Sequence, residues 1–457
     1  MTSRHRVKLT NPQTAIDWNF TPEYYERSRK ILDEALAKVP IYQRWKSLDP
    51  GPAADVDSRF AAMPALTKKD IREHFPEGLL PRELDLNRAI ARKAVSLVDS
   101  SGTTNDKITN IWNQKWWDAS EISSWKLNAY MSQCATGDHK EAILVNPKNV
   151  GIKSDLVDLT LEQRCLSRFL YLNEKTDFSY WTLAHMGRMI EELGRYQPVV
   201  LEANPSYLAR LCRYAISNKI TVFQPRIIVF TYEYPTFFHY RQIRQVFPHV
   251  PTISSYGTTE TGYVFMECEK GRLHQNSDYC RVDFQPFKRE HGGPFLGRIL
   301  VTPLGNPWSY ILRFDTGDIV HIEESGKCEC GREGGLILSS VNGRAVNLTL
   351  TSKGRLVTLR DLDDALSVLE GIEQYQLVQT DTGVYDLRLV SQRPDKEALE
   401  KGVIFTLKKL YGHDAVISLI YTPEIDPEIS GKYLISKALF PIELQKYLEN
   451  SEKSKIN

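Results

Sequence analysis

Between about residue 140 and residue 260, short apolar runs alternate with helical periodicity, and this alternation restricts the fold more than any other feature of the chain. Pro198-Val199-Val200-Leu201 and Ile227-Ile228-Val229-Phe230 are continuous apolar runs, as strands buried on both faces require. Between them Leu208, Leu211, Cys212 and Ala215 fall at i, i+3, i+4 and i+7 of a helix beginning near Pro205. A helix opened by Pro235 and a strand Thr252-Ile253-Ser254-Ser255 continue the pattern. Such alternation predicts a parallel sheet covered by helices, with ligands gathered at the carboxyl ends of its strands. Two polar loops occupy those ends, Thr231-Tyr232-Glu233-Tyr234 and Tyr256-Gly257-Thr258-Thr259-Glu260.

The flanking regions read differently. Residues 21 to 75 are helical in pattern, with Tyr24, Ile31, Leu32 and Ala35 on one face before Pro40, and Thr67 with Asp70 forming a capping box. A helix over 115 to 131 would carry Ile122, Trp125 and Ala129 on its apolar stripe. Beyond residue 295, short strands at Arg298–Val301, Tyr310–Leu312 and Gly317–Val320 make a β-rich subdomain. A new composition starts at Gly343. It contains a helix near 360 to 369, a hairpin turning at Asp381-Thr382-Gly383, a helix aligning Leu399, Val403, Leu407 and Leu410, and a strand Ala415 to Tyr421. The expected fold is α/β: a large N-terminal domain, 1–342, with sheets covered by helices plus a β-rich subdomain, and a small α+β C-terminal domain, 343–457.

Charge and cysteine content narrow the function. The 457 residues carry 58 Lys and Arg against 57 Asp and Glu, a balance that offers nucleic acid no basic field. No apolar run approaches the ~20 residues needed to cross a bilayer. Seven cysteines without an apolar leader point to reduced thiols in a cytoplasm.

Three polar clusters are candidates for chemistry. Asp99-Ser100-Ser101-Gly102-Thr103-Thr104-Asn105-Asp106-Lys107 lies between two β-prone runs and could wrap a polyphosphate, with hydroxyls and amides donating and the lysine adding charge. A Ser/Thr-rich hairpin turn explains it equally well when it is read alone. Pro427-Glu428-Ile429-Ser430-Gly431-Lys432 is a second polar loop ending in a lysine. Cys268, His274, Cys328 and Cys330 supply three thiolates and one imidazole, a closed set for structural Zn2+, against the alternative of buried free thiols. Cys280 fits no place in that pattern and is read as core.

Six stretches taken in order resemble the adenylate-forming (ANL) superfamily. They are Ser100-Ser101-Gly102-Thr103-Thr104 with Lys107, Tyr256-Gly257-Thr258-Thr259-Glu260, Gly297-Arg298-Ile299-Leu300-Val301-Thr302, Arg313-Phe314-Asp315-Thr316-Gly317-Asp318, Gly343-Arg344 and Gly431-Lys432. Leu66-Thr67-Lys68-Lys69-Asp70-Ile71-Arg72, Asn204-Pro205-Ser206-Tyr207 and the Cys/His pattern are similar to the phenylacetate-CoA ligase-like branch, which includes capsular-polysaccharide-associated homologues. Two departures stand out, Asn105-Asp106 in the phosphate loop and Ala345-Val346 where an acidic hinge residue is usual.

The resemblance implies ATP-dependent activation of an aryl or other acyl carboxylic acid as an acyl-adenylate with release of pyrophosphate. Transfer to an acceptor follows: coenzyme A first, with an amine or a carrier-protein thiol as alternatives. It implies that Ser101, Gly102, Thr103, Thr104 and Lys107 hold the β- and γ-phosphates, with Thr258 or Thr259 near the α-phosphate and Gly257 and Glu233 in the same ATP site. Glu260 would hold Mg2+, Tyr256 would face adenine, and Asp318 with Arg344 would take the ribose hydroxyls. Lys432, on a mobile small domain, would reach the α-phosphate. Aromatic residues including Tyr180, Trp181, Tyr207, Phe237 and Phe238 could line an aryl pocket or be core. A non-catalytic nucleotide-binding or assembly protein is the reading from a different class.

Overall fold

A computed structural model describes residues 13, 16–100, 107–134, 137–428 and 431–449. The Ser101–Asp106 part of the phosphate loop therefore lies outside the described residues, together with the expectations for Ser101, Gly102, Thr103 and Thr104.

The N-terminal helices form as their caps dictate. Helix α1 (Pro22–Lys38) starts at Thr21, whose side chain accepts from the Tyr24 amide, and it buries Tyr24, Ile31, Leu32 and Ala35. Helix α2 (Lys68–His74) has the Thr67/Asp70 capping box. Together they pack on Leu304, Ile311, Leu312 and Phe314. Residues 310–312 are not the expected strand. The Tyr42 hydroxyl donates to Tyr310 O at 2.6 Å and accepts from the Leu312 amide at 3.0 Å, filling positions that a neighbouring strand would use.

Strands β1 (Ser96–Asp99) and β2 (Thr109–Trp112) pair antiparallel. The hairpin is tied at its neck by Ile108, whose amide donates to Ser100 Oγ and whose carbonyl accepts from the Ser100 amide. Helix α3 (Gln114–Trp125) follows and ends earlier than its periodicity predicts. Asn128 Oδ1 accepts from the Tyr130 and Met131 amides, a local alternative to continuing the helix. Ile122 is exposed, and the residues turned inward are Trp116, Ser120, Ser124 and Trp125.

The remaining large-domain strands are β3 (Glu141–Leu144), β4 (Cys165–Leu166), β5 (Phe169–Tyr171), β6 (Val200–Ala203), β7 (Ile227–Phe230), β8 (Thr252–Thr258), β9 (Gly262–Glu267), β10 (Leu273–Gln275), β11 (Cys280–Pro286), β12 (Leu296–Pro303), β13 (Phe314–Ile322) and β14 (Ile337–Arg344). They form one twelve-stranded sheet in the order β11-β12-β13-β14-β10-β9-β8-β7-β6-β3-β5-β4. The expected parallel sheet and β-rich subdomain are thus continuous, and β8 is the seam. It pairs parallel with β7 and antiparallel with β9, so Tyr256, Gly257 and Thr258, expected in a loop, close the strand instead. Helices α4 (Leu183–Tyr196) and α5 (Pro205–Ser217) pack their apolar faces together with β3, β5, β6 and β7. On the opposite face Trp125 of α3 packs with Val200, Ile227, Val229 and Ile253.

Helix α6 (Phe237–Val246) starts at Thr236 rather than Pro235 and faces the last part of the chain. There a short hairpin of β15 (Thr349–Leu350) and β16 (Leu356–Val357) precedes α7 (Leu359–Ser367). Strands β17 (Gln374–Asp381), β18 (Val384–Val390), β19 (Val416–Tyr421) and β20 (Ser436–Ala438) form a separate sheet in the order β19-β18-β17-β20, packed by α7 and by α8 (Lys396–Tyr411). Leu399, Val403 and Leu407 of α8 are buried in this second core, as their spacing requires. Among the described residues no helix is long and apolar enough to cross a membrane.

Candidate functional site

The Arg313–Asp318 stretch lies mostly on β13, where short local bonds set the directions of its side chains. Gly317, at φ 74°, takes a backbone conformation that side chains resist. Its amide donates to Asp315 Oδ1 and the Asp318 amide donates to Thr316 Oγ1. Asp315 is spent on Arg298, 2.7 Å away. Asp318 is 8 % exposed and faces Arg344 across the β13–β14 ladder, with Arg344 Nε 3.5 Å from Oδ1. The Tyr256 hydroxyl donates to Asp318 Oδ2 at 2.8 Å. Burial, reinforced by the Asp318 charge, pushes that phenol well above its ordinary range, so it remains a donor. Tyr256 thus meets this group through its hydroxyl, while its ring lies against Phe265.

Lys432 arrives from the loop between β19 and β20. Burial pulls its ammonium below the ordinary lysine range, Arg344 adds to this, and Glu233 and Asp318 oppose it. The loop is held by the large domain at several points. Tyr207 on α5 donates to Gly431 O at 3.2 Å, and the Tyr433 amide donates to Glu233 Oε1 at 2.8 Å. Arg210 and Arg213 pair with Glu424 at 3.0 and 3.3 Å. Helix α6 adds further ties, from the Phe237 amide to Asp363 Oδ2 and from Gln242 to Glu373 O, each 2.8 Å. Glu233, expected in the ATP site, has its second oxygen accepting from Ser206 Oγ at 2.6 Å, so protein donors engage its carboxylate on both sides.

Glu260 turns the corner between β8 and β9. It is 8 % exposed and makes no hydrogen bond or ion pair with any described residue. It lines a cleft with Thr259, the β2 residues Thr109 to Trp112, and Trp116, Trp117, Asn306, Trp308 and Tyr310. Thr258 Oγ1 is committed to Thr261 at 2.9 Å, which leaves Thr259 to face the cleft. Lys107 is exposed at the neck of the β1–β2 hairpin. Gly257 sits where any side chain would run into the Gly262 carbonyl.

The aromatic residues offered for an aryl pocket do not meet in one. Trp181 and Tyr207 are buried in the large-domain core and Phe238 in the second core, while Tyr180 and Phe237 are exposed. Aromatic side chains do meet in the tryptophan-rich cleft beside Glu260. Sequence periodicity missed it because Trp112, Trp117 and Trp308 converge from separate segments.

The four metal-ligand candidates do converge. Cys268 directly follows β9, His274 is on β10, and Cys328 and Cys330 lie in the β13–β14 connection. Cys268 Sγ is 3.6 Å from Cys328 Sγ, and Cys330 Sγ is 3.3 Å from His274 Nε2. All four ligand atoms lie within 4.8 Å of one another. Ligands about 2.3 Å (sulfur) and about 2.0 Å (nitrogen) from a tetrahedral Zn2+ give edges of roughly 3.5–3.8 Å, so the donor set fits zinc. Burial lowers the His274 imidazole to about 4, which keeps it neutral. Cys280 is buried in the core beside this region.

Residues 349–438 match the model of the CapK C-terminal domain. Over 246 residues the chain is 23 % identical to Protein CapK of Staphylococcus aureus, a match covering 53 % of this chain and 53 % of that protein. It thus spans about half the length of that curated relative. Among solved structures, 2-hydroxyisobutyryl-CoA ligase in the postadenylation state with R3-HIB-AMP superposes with TM-score 0.65 at 14 % identity, covering 94 % of this chain and 92 % of that one. Its complex with 2-HIB-AMP in the same state gives 0.63 at 15 % identity, covering 88 % and 86 %. The chain thus shares the fold of 2-hydroxyisobutyryl-CoA ligase, and its residues 349–438 match the CapK C-terminal domain.

Proposed function

We propose that this chain is an ATP-dependent acid ligase that converts a carboxylic acid into an acyl-adenylate and pyrophosphate, then passes the acyl group to an acceptor, with coenzyme A the first candidate and an amine or carrier-protein thiol the alternatives. The observation that carries the reading is the delivery of Lys432, by a loop from the far end of the chain, to the same place as Asp318 and Arg344. We take the division at residue 343 as the boundary between the domain that binds ATP and the one that brings Lys432.

The chemistry follows from charge. A carboxylate is a weak nucleophile, and its attack on the α-phosphate concentrates negative charge on the phosphoryl oxygens, so catalysis is positioning plus charge stabilisation. Asp318 would accept from the ribose hydroxyls with Arg344 steadying it, Lys432 would meet the α-phosphate, and Ser101 to Thr104 with Lys107 would hold the β- and γ-phosphates. Glu260, buried and without a partner among the described residues, is suited to Mg2+ carried on the phosphates. The Cys268, His274, Cys328 and Cys330 quartet would hold a structural Zn2+ with no open position. Elemental analysis of protein purified without chelator should find about one zinc per chain, and Cys330→Ser should lower both zinc content and stability. Protein free of zinc would remove the metal assignment.

ATP–pyrophosphate exchange across a panel of aryl and aliphatic acids tests the reaction without knowledge of the acceptor. Acid-dependent exchange supports it. ATP binding without exchange for any acid would turn the reading to a nucleotide-binding assembly protein.

A further inference from the structure

Glu233 stands at the carboxyl end of β7, partly buried, between two parts of the chain about 200 residues apart. One oxygen accepts from the amide of Tyr433, the residue after Lys432, and the other from Ser206 in the first turn of α5. That turn is well ordered by its cap, because Asn204 Oδ1 accepts from the Ser206 and Tyr207 amides. The positive end of a thirteen-residue helix favours an anion there. Ser206 Oγ also lies 3.5 Å from His239 Nε2. Burial pulls that imidazole down to about 3, so it adds no cation that would compete for the carboxylate. Among the described residues, the charged groups acting on Lys432 include Arg344 on β14, Lys68 on α2, Asp318 on β13 and Glu233. With Lys432 these make three cations against two carboxylates, and Asp318 is already shared with Arg344 and Tyr256.

We propose that Glu233 is a positioning residue for Lys432: its carboxylate clamps the backbone beside the lysine to the start of α5 and supplies the negative charge that lets the ammonium stand next to Arg344. The function of this clamp rests on the adenylation reading above. A charge-assisted hydrogen bond between a carboxylate and a backbone amide has the strength to select one position of a loop and still break when a domain turns. Both oxygens of Glu233 are taken by protein donors, so it acts through the residue next to it. The clamp has to open before Lys432 can withdraw.

The test needs no substrate. Competitive labelling of lysines with acetic anhydride across a pH series, read by mass spectrometry, gives the titration midpoint of Lys432, and hydrogen exchange of peptides spanning 431–436 reads the Tyr433 amide. Glu233→Gln keeps an acceptor for that amide but removes the charge. It should lower the Lys432 midpoint while leaving exchange within about twofold of wild type. Glu233→Ala should lower the midpoint and speed exchange by roughly tenfold or more, as local opening becomes easier. A Lys432 midpoint unchanged in both variants, or unchanged exchange in Glu233→Ala, removes Glu233 as a positioning residue. Midpoints of the other lysines report any general unfolding. Once an acid is identified, Glu233→Ala in a Lys432→Ala background should cost no further exchange activity, and an additive loss would overturn action through Lys432. Failure of the acid panel alone leaves the labelling and exchange results standing, so the clamp and the adenylation reading fail separately.

Discussion

Glu233 and Glu260 hang from the ends of adjoining strands, and their surroundings are opposite. Glu233 gives one oxygen to a hydroxyl and the other to an amide. Glu260 is more deeply buried and has no partner among the described residues. An inward carboxylate whose lone pairs are filled by its own chain holds that chain in place. One that lines a cleft with no partner among the described residues keeps its oxygens for water or for a cation from outside. On the proposed adenylation reading, Glu233 would hold the Tyr433 segment in place and Glu260 would face the ligand.

The sharpest way to break this contrast is Lys432→Ala. Losing one preorganised charge at the phosphoryl group should slow pyrophosphate exchange by ~10²–10³-fold, while acceptor transfer from a supplied acyl-adenylate, which requires the lysine withdrawn, stays near wild type. Equal loss in both assays would make the loop a folding element. Glu260→Gln should cost about 10²-fold in exchange with little change in thermal stability, or a small gain, because no partner is abandoned. A marked fall in melting temperature would mean that Glu260 has a structural role. Asp318→Ala should weaken ATP binding by about 1.5–3 kcal/mol per lost charge-assisted bond, measured by calorimetry, with acid binding much less affected. Unchanged ATP affinity would remove the ribose assignment.

The smallest effect concerns a third carboxylate, Glu202 on β6. Burial, with the neighbouring Glu121 charge, raises it to about 7, and Thr231 donates to it at 3.1 Å. The sign follows from proton counts. The folded state holds a proton that the unfolded chain releases near pH 4.3, so stability falls as pH rises from there to about 7. Glu202→Gln keeps an acceptor and should be more stable than wild type at pH 8 by about 1–2 kcal/mol, with little difference below pH 4. Parallel melting curves at both pH values would show that Glu202 is solvated.

The sequence by itself determined the parallel core, the buried faces of α1, α5 and α8 and the capping box, because these are written in spacings of two to seven residues and local sterics enforce them. It also determined the membership of the cysteine–histidine quartet, since four soft ligands have few other uses together. Tertiary structure decided whatever depends on segments far apart meeting. It joined the parallel and antiparallel halves through β8, because strand pairing is chosen by available partners. It replaced the expected strand at 310–312 with bonds to Tyr42. It assembled the tryptophan cleft from unconnected runs. And it gave Glu233 its partners Ser206 and Tyr433, because a carboxylate's contacts are set by which donors the fold brings within 3 Å, here one residue 27 positions before it and another 200 positions after it.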